Sequence, residues 1–261
     1  MRGAWLTAAV EVLDEIARTQ MDSIGRTAEL CATAIAGGGL VHLFGTGHSR
    51  IPLEEMFPRY GSYPGFHPIA ELSMTYHTQV VGANGQRQAM FIERTPGLAG
   101  VILENFTFGA EDVMIIFSAG GRTAVPIEMA IGARERGVPV VAVTSRASSD
   151  ACASEHLSGT RLYDHADVVI DLCTPAGDAL VHLEGVDTPI GPGSTAANAA
   201  IVNEIKVQTA ALLLERDALP PVITSSAVVG RERSKALFDA AYDEHARRVA
   251  ATLTPEADAE P

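Results

Sequence analysis

The sequence predicts an α/β fold in which helices cover both faces of a parallel sheet. Short apolar runs at 113–117, 138–143 and 167–170 have the composition of strands that are buried on both faces. Between the first two runs, 124–136 has the apolar spacing of a helix and ends before a glycine. Strands that alternate with helices in this way require crossover connections, which make neighbouring strands parallel.

The two long helices of the prediction lie towards the ends of the chain. Apolar residues recur at spacings of three and four from about residue 5 to residue 36, where three glycines end the helix. The apolar run 40–44 then predicts the first strand. The segment 195–216 predicts a long helix that closes the fold.

Two segments depart from this alternation. The segment 66–94 has only short alternating stretches, at 79–81 and 89–92, and is interpreted as an irregular connection. The segment 179–190 predicts a small hairpin with its turn near 185–187.

Composition limits the number of domains and the kinds of partner. The chain has 261 residues, of which 47% are hydrophobic and 20% are charged, so it can bury a substantial core. We predict one domain over 1–250 and a disordered tail rich in Pro, Ala and acidic residues over 251–261. The formal net charge of −13 argues against non-specific binding to nucleic acid or to anionic membranes. An anionic ligand would have to be attracted by local donors and helix dipoles.

Cysteine usage and the apolar profile predict a cytoplasmic protein. Cys31, Cys152 and Cys173 have no metal-ligand spacing, so we interpret them as inert thiols in a reducing compartment and expect neither a metal nor a cofactor. Acidic residues such as Glu11 interrupt the first apolar stretch, which argues against a signal peptide. No segment approaches 18 consecutive apolar residues, so we expect no membrane span.

Small and hydroxyl-bearing residues follow three of the predicted strands. Ligands of open parallel sheets bind at the carboxyl ends of the strands. Glycine loops that run into helix N-termini, with hydroxyl groups as extra donors, suit the phosphate group of a small molecule. The alternative is that these are ordinary turns with good helix N-caps. The candidate binding residues are Gly47, His48, Ser49, Ser118, Gly120, Gly121, Thr123 and Ser145.

Two other phosphate-binding motifs do not fit these loops. A P-loop needs a Gly-Lys-Ser/Thr sequence, which the chain lacks. A dinucleotide fingerprint needs a third glycine where the chain has Arg50.

The two loops resemble those of the SIS (sugar isomerase) domain family. Gly45, Gly47 and Ser49 match the family's Gly-x-Gly-x-Ser loop. The family's next loop is Ser-x-Ser-Gly-x-Thr/Ser, in which Ser118 matches the first serine, followed by the matching glycine and threonine. Gly120 stands where the second serine is expected, so one hydroxyl donor is missing and a backbone N–H or an arginine would replace it.

The resemblance extends over about 21–214 and implies both a fold and an assembly. The chain resembles a bacterial SIS-domain group related to phosphosugar isomerases, and it also resembles N-acetylmuramic acid 6-phosphate etherases and phosphoheptose isomerases. The implied fold is a three-layer αβα sandwich with a five-stranded parallel flavodoxin-like sheet. The implied assembly is a homodimer or homotetramer with shared active sites, which binds a small-molecule sugar phosphate.

Enolisation of a sugar phosphate needs a base with a pKa near the working pH. Glu55 is the first candidate, because its surroundings resemble a catalytic stretch of the etherases. Glu71 and His77 in the irregular connection are further candidates for acid/base chemistry, and His48 could contact the phosphate or help to open the ring. Lys206 stands where the isomerases have a histidine, and it could bind an anion or an open-chain aldehyde.

The predicted function is enolisation of a hexose or N-acetylamino-sugar 6-phosphate, such as N-acetylglucosamine 6-phosphate, followed by β-elimination. Lys206 in place of the isomerase histidine, together with the likeness around Glu55, favours elimination. One alternative is an aldose–ketose isomerase of the phosphoheptose type. The other is a sugar-phosphate sensor without catalytic activity.

Overall fold

A parallel sheet of five strands forms the centre of the computed structural model, which describes residues 2–75 and 85–253. The strands occur in the order β2-β1-β3-β4-β5 and all pair in parallel. This order is the one found in flavodoxin-like sheets, so the predicted fold class is confirmed. The strands are β1 (Val41–Gly45), β2 (Phe66–Ile69), β3 (Val113–Phe117), β4 (Val140–Thr144) and β5 (Val168–Asp171).

Helices cover both faces of this sheet. One buried cluster joins apolar residues of α1, α2 and α8 to one face, and a second joins residues of α5 and α6 to the other face. The helices are α1 (Ala4–Thr19), α2 (Met21–Ala36), α3 (Ile51–Met56), α4 (Gln86–Ile92), α5 (Leu98–Leu103), α6 (Ala124–Glu135), α7 (Arg146–Asp150), α8 (Ser194–Glu215), α9 (Ser226–Val229) and α10 (Arg231–Leu253). None of the described helices has both the length and the apolar character that a bilayer span requires.

The register of the two central strands places their following loops side by side. Val41 pairs with Val113 and Gly45 pairs with Phe117, so β1 and β3 end at the same level. All residues of both strands are buried, as expected for strands covered on both faces. The loops after β1 and β3 therefore emerge next to each other.

The prediction of one long N-terminal helix was wrong, because the helix breaks at Gln20. This residue adopts φ −108° and ψ −2° between α1 and α2. Its side-chain Oε1 accepts a hydrogen bond from the backbone N–H of Asp171 (2.9 Å). The break lets α1 cover α8 and the small hairpin, while α2 packs along the sheet. Helical spacing continues across the break, so the pattern alone does not reveal it.

The segment interpreted as an irregular connection contains regular elements. Strand β2 begins it and helix α4 lies near its end, so the alternating pattern at 89–92 gave the wrong period. The stretch 79–81 lies outside the described residues.

Two predictions near the C-terminal half have different outcomes. The hairpin is confirmed by β6 (Ala179–Val181), which pairs antiparallel with β7 (Ile190–Pro192). The predicted tail began too early, because α10 continues to Leu253. The rest of the predicted tail lies outside the described residues.

Candidate functional site

A polar cleft of about 260 Å³ lies at the carboxyl ends of β1 and β3. It is smaller than the ~300–1,000 Å³ of typical drug-sized ligand sites, which suits a small polar ligand. The predicted binding residues that line it are His48, Ser49, Ser118, Gly120, Gly121 and Thr123. The other polar and charged residues of its lining are Thr46, Glu93, Arg94, Arg122, Glu155, Asp178 and Ser194.

The first loop of the cleft folds back tightly on β1. A Cβ atom at Gly45 would lie 2.2 Å from the backbone oxygen of Ser49, so no larger residue fits there. Gly47 has φ +55° and begins a 3₁₀ turn that leads into α3. This turn brings Ser49 to the cleft, whereas Gly47 itself is buried and does not line it. Gly47 therefore shapes the loop.

The second loop leads from β3 into the N-terminus of α6. The backbone N–H of Gly121 donates to Ser118 Oγ (3.1 Å), which holds the loop closed. Gly121 has φ +57°, a conformation that glycine adopts without steric cost. Thr123 occupies the N-cap of α6, and its side chain makes no capping hydrogen bond. The positive end of the helix dipole and these hydroxyl groups form an environment that favours an anion.

Ser145 is buried at the start of α7 and does not line the cleft. Its hydroxyl donates to the Thr174 carbonyl (2.8 Å) and accepts from the backbone N–H of Ser148 (3.1 Å). The bond from Ser148 caps α7, which is the ordinary role of a serine at a helix N-terminus, and the bond to Thr174 ties the hydroxyl to the segment after β5.

Glu55 and Lys206 meet each other outside the lining of the cleft. The Lys206 ammonium donates to the Glu55 backbone oxygen (2.9 Å) and lies 3.8 Å from its carboxylate. The Glu55 carboxylate also accepts from Arg59 (2.6 Å) and Asn203 (3.1 Å). Burial lowers the pKa of Lys206, and the nearby Glu55 opposes that shift. The pair links α3 to α8, and its predicted catalytic role stays a prediction.

Of the two remaining candidates, Glu71 does not line the cleft. Glu71 lies half-buried before the 3₁₀ turn Leu72–Met74, and its backbone oxygen accepts from Met74 (3.0 Å). His77 lies outside the described residues.

Glu93 is the carboxylate that the sequence analysis missed. It follows α4 and lines the cleft, with 17% of its side chain exposed. Its Oε2 accepts a hydrogen bond from Thr46 Oγ1 (2.5 Å) in the first loop. Burial raises the pKa of Glu93 above its ordinary value and Glu155 adds to this, whereas Thr46 and Arg94 oppose it. A buried carboxyl with a raised pKa beside hydroxyl-lined loops is suited to acid/base chemistry.

Two arginines share one carboxylate at the edge of the cleft. Glu155 accepts from Arg94 Nε (2.5 Å) and lies 3.3 Å from Arg122 Nη1. On another side of the cleft, Asp178 accepts from the N–H and the hydroxyl of Ser194, both at 2.7 Å, and so caps α8. The cleft thus combines cationic and anionic groups with helix N-termini.

Known proteins resemble this chain in sequence and in fold. The model of the SIS domain family matches residues 4–145, which is more than half of the chain. The chain belongs to the SIS domain family. It is 34% identical over 230 residues to a UPF0309 protein of Streptomyces coelicolor, covering 87% of this chain and 89% of that protein.

Two further comparisons agree with this assignment. A UPF0309 protein of Geobacillus kaustophilus is 33% identical over 238 residues, covering 91% of this chain and 88% of that protein. A phosphoheptose isomerase structure from Francisella tularensis is similar in fold, with a TM-score of 0.51 and 13% identity. That alignment covers 79% of this chain and 95% of the isomerase.

Proposed function

We propose that this SIS-domain protein is an enzyme that enolises a hexose or N-acetylamino-sugar 6-phosphate in the cleft. The observation that carries the proposal is the Glu93 carboxyl, which is buried beside both hydroxyl-lined loops. A raised pKa brings this group closer to the working pH of a general acid or base.

The two loops supply donors for the phosphate. Ser49, Ser118 and Thr123 line the same cleft, and the N-terminus of α6 opens into it. These local donors offset the repulsion that a dianion meets from a chain of net charge −13.

Glu93 then acts on the open-chain sugar held by its phosphate. The carboxylate takes the proton from C2, the electron pair of that bond forms the C1–C2 double bond, and the C1 oxygen takes the negative charge. The pair on the C1 oxygen then re-forms the C1 carbonyl, the C1–C2 double bond shifts to C2–C3, and the C3 substituent leaves with a proton from the same carboxyl group. A single group can therefore act first as base and then as acid, as in other eliminations that begin by enolisation.

Isomerisation is the second candidate for the fate of the enolised sugar. With a hexose 6-phosphate, Glu93 could instead return its proton to C1 while the proton of the C2 hydroxyl passes to the C1 oxygen, which gives the ketose. Both routes need one carboxyl group that can act as base and acid, and Glu93 supplies it. We place elimination first because Lys206, at the position of the isomerase histidine, lies outside the cleft lining.

The test is proton exchange with a panel of sugar 6-phosphates in deuterated water, followed by NMR. A new alkene between C2 and C3 supports elimination, and a ketose with deuterium at C1 supports isomerisation. Glu93→Gln should slow exchange by about 10²–10⁴-fold, the usual contribution of a general base. Glu54→Gln, at a largely exposed carboxylate on α3, is the control and should exchange like the parent.

Glu55→Gln tests the alternative base in the same assay. By family resemblance we expect a dimer or tetramer whose neighbouring subunit completes each site. Loss of exchange in Glu55→Gln alone, with Glu93→Gln active, would assign the base to Glu55 and refute the role of Glu93. Binding without exchange by any sugar phosphate would favour the sensor over the enzyme.

A further inference from the structure

The strongest unexplained feature of the cleft is the side chain of Arg122, in the loop between Ser118 and α6. Its Nε–H is buried and has no hydrogen-bond partner among the described residues. A buried donor without a partner costs free energy, so this group is in an unfavourable state unless a ligand accepts a hydrogen bond from it.

The position of this donor matches the hydroxyl that the second loop lacks. Gly120 stands where the resemblance predicts a second serine. A Cβ atom at Gly120 would lie 3.8 Å from Arg122 Nε. The Nε–H is thus available in the part of the cleft that a serine side chain at position 120 would reach.

The rest of the Arg122 residue is fixed in place by the segment after α7. Its Nη1 donates to the Ala153 carbonyl (3.1 Å) and lies 3.3 Å from the Glu155 carboxylate. Its own backbone oxygen accepts from the N–H of Glu155 (2.9 Å). These contacts fix the guanidinium in the lining of the cleft, so little entropy remains to be lost when an anion binds.

We propose that Arg122 Nε binds the phosphate group of the substrate and replaces the second serine hydroxyl of the loop. This inference rests on the proposed function, because it assigns a donor to the same phosphate site. A charged donor gives a shorter and stronger hydrogen bond to a phosphate than a hydroxyl group does. The single arginine therefore compensates for the missing hydroxyl in an acidic protein.

Calorimetry with N-acetylglucosamine 6-phosphate and with inorganic phosphate tests the proposal. Arg122→Lys keeps the charge but removes Nε, and should weaken binding of both ligands about 10-fold or more, as expected for one charge-assisted hydrogen bond. Gly120→Ser added to Arg122→Lys restores a hydroxyl and should recover much of the affinity. The control is Arg134→Lys, which changes an exposed arginine of α6 that is paired with Asp167. This variant should bind both ligands like the parent.

The outcomes separate this inference from the proposed function. If the parent binds no phosphorylated sugar, the proposed function fails. If the parent binds and Arg122→Lys binds equally well, the proposed function stands and the role of Arg122 is wrong. If Arg122→Lys loses affinity and Gly120→Ser does not recover it, Arg122 does not replace the missing hydroxyl and the inference is also wrong.

Discussion

At the scale of single residues, Glu93 owes its chemical character to contacts from distant parts of the chain. Thr46 reaches it from the first loop, Arg94 is its neighbour, and Glu155 approaches from the segment after α7. These groups oppose one another, because Thr46 and Arg94 favour the ionised form whereas burial and Glu155 favour the neutral form. The acidity of Glu93 can therefore be tuned from either side.

The pH dependence of C2 exchange should report this balance. The rate should rise with pH through the pKa of Glu93, because the base acts in its ionised form and burial raises that pKa above its ordinary value. Glu155→Gln should move the inflection to lower pH, since a charge that raises the pKa is removed. Arg94→Gln should move it to higher pH. The exchange rates are measured by NMR. If the inflection of rate against pH stays unchanged in both variants, Glu93 is not the base.

Gly121 sets the shape of the second loop through its conformation and its tight surroundings. A Cβ atom there would lie 2.8 Å from Thr144 Oγ1, and φ is +57°. Gly121→Ala should lower the free energy of unfolding by about 2–4 kcal/mol, from strain and overpacking together. Gly137→Ala is the matched control, since φ is +76° with nothing within 4 Å, and should cost only about 1–2 kcal/mol. Urea unfolding measures both variants. Equal losses of unfolding free energy would show that the contact with Thr144 adds no cost at position 121.

At the scale of elements, the site depends on the ends of strands that lie next to each other. The sequence was sufficient to predict the central strands and the two phosphate loops, because buried apolar runs and glycine–hydroxyl turns are local signals. It did not reveal Glu93, whose hydrogen-bond partner Thr46 lies 47 residues away. The break at Gln20 was missed for the same reason, because its contact with Asp171 is distant in sequence.

Helix α10 is attached to the end of α2 through Arg248. The Arg248 Nη1 donates to the carbonyls of Ile35 (3.0 Å) and Gly39 (2.8 Å). The Gly39 carbonyl lies beyond the end of α2, and the Ile35 carbonyl also accepts from the backbone N–H of Gly38 (3.2 Å). Arg248 is therefore a structural link between two elements that are distant in sequence.

Replacing Arg248 with alanine should destabilise the fold by about 1–3 kcal/mol, because the part-buried carbonyls of Ile35 and Gly39 lose a charged donor. Arg247→Ala is the control on the same helix. Its side chain is 72% exposed and paired with Glu244, so its loss should stay within about 0.5 kcal/mol. Urea unfolding of both variants measures the difference. Equal stability of the two variants would contradict the link.

At the scale of the whole molecule, stability should depend on a buried histidine cluster at the opposite end of the sheet. His42 Nδ1 lies 3.0 Å from His67 Nδ1, and His42 Nε2 lies 3.0 Å from Asp112. Burial lowers the pKa of His67 to about 4, helped by His42 and His245 and opposed by Asp112. The folded protein thus holds His67 in its neutral form.

The folded state should lose stability as the pH falls from about 6.5 to about 4. The unfolded chain binds a proton at His67 over this range and the folded chain does not, so acid favours unfolding. The loss amounts to at most about 3 kcal/mol. His67→Gln should flatten the slope of unfolding free energy against pH, whereas His182→Gln, at an exposed histidine, should not. If the slope of unfolding free energy against pH is unchanged in His67→Gln, the acid sensitivity does not come from His67.

The direct test of the central claim is a crystal structure of the protein with N-acetylglucosamine 6-phosphate. The account predicts the phosphate at the N-terminus of α6, within hydrogen-bond distance of Ser49, Ser118 or Thr123, and C2 of the sugar beside Glu93. Sugar phosphate bound at another place on the molecule, with the cleft unoccupied at saturating ligand, would contradict it.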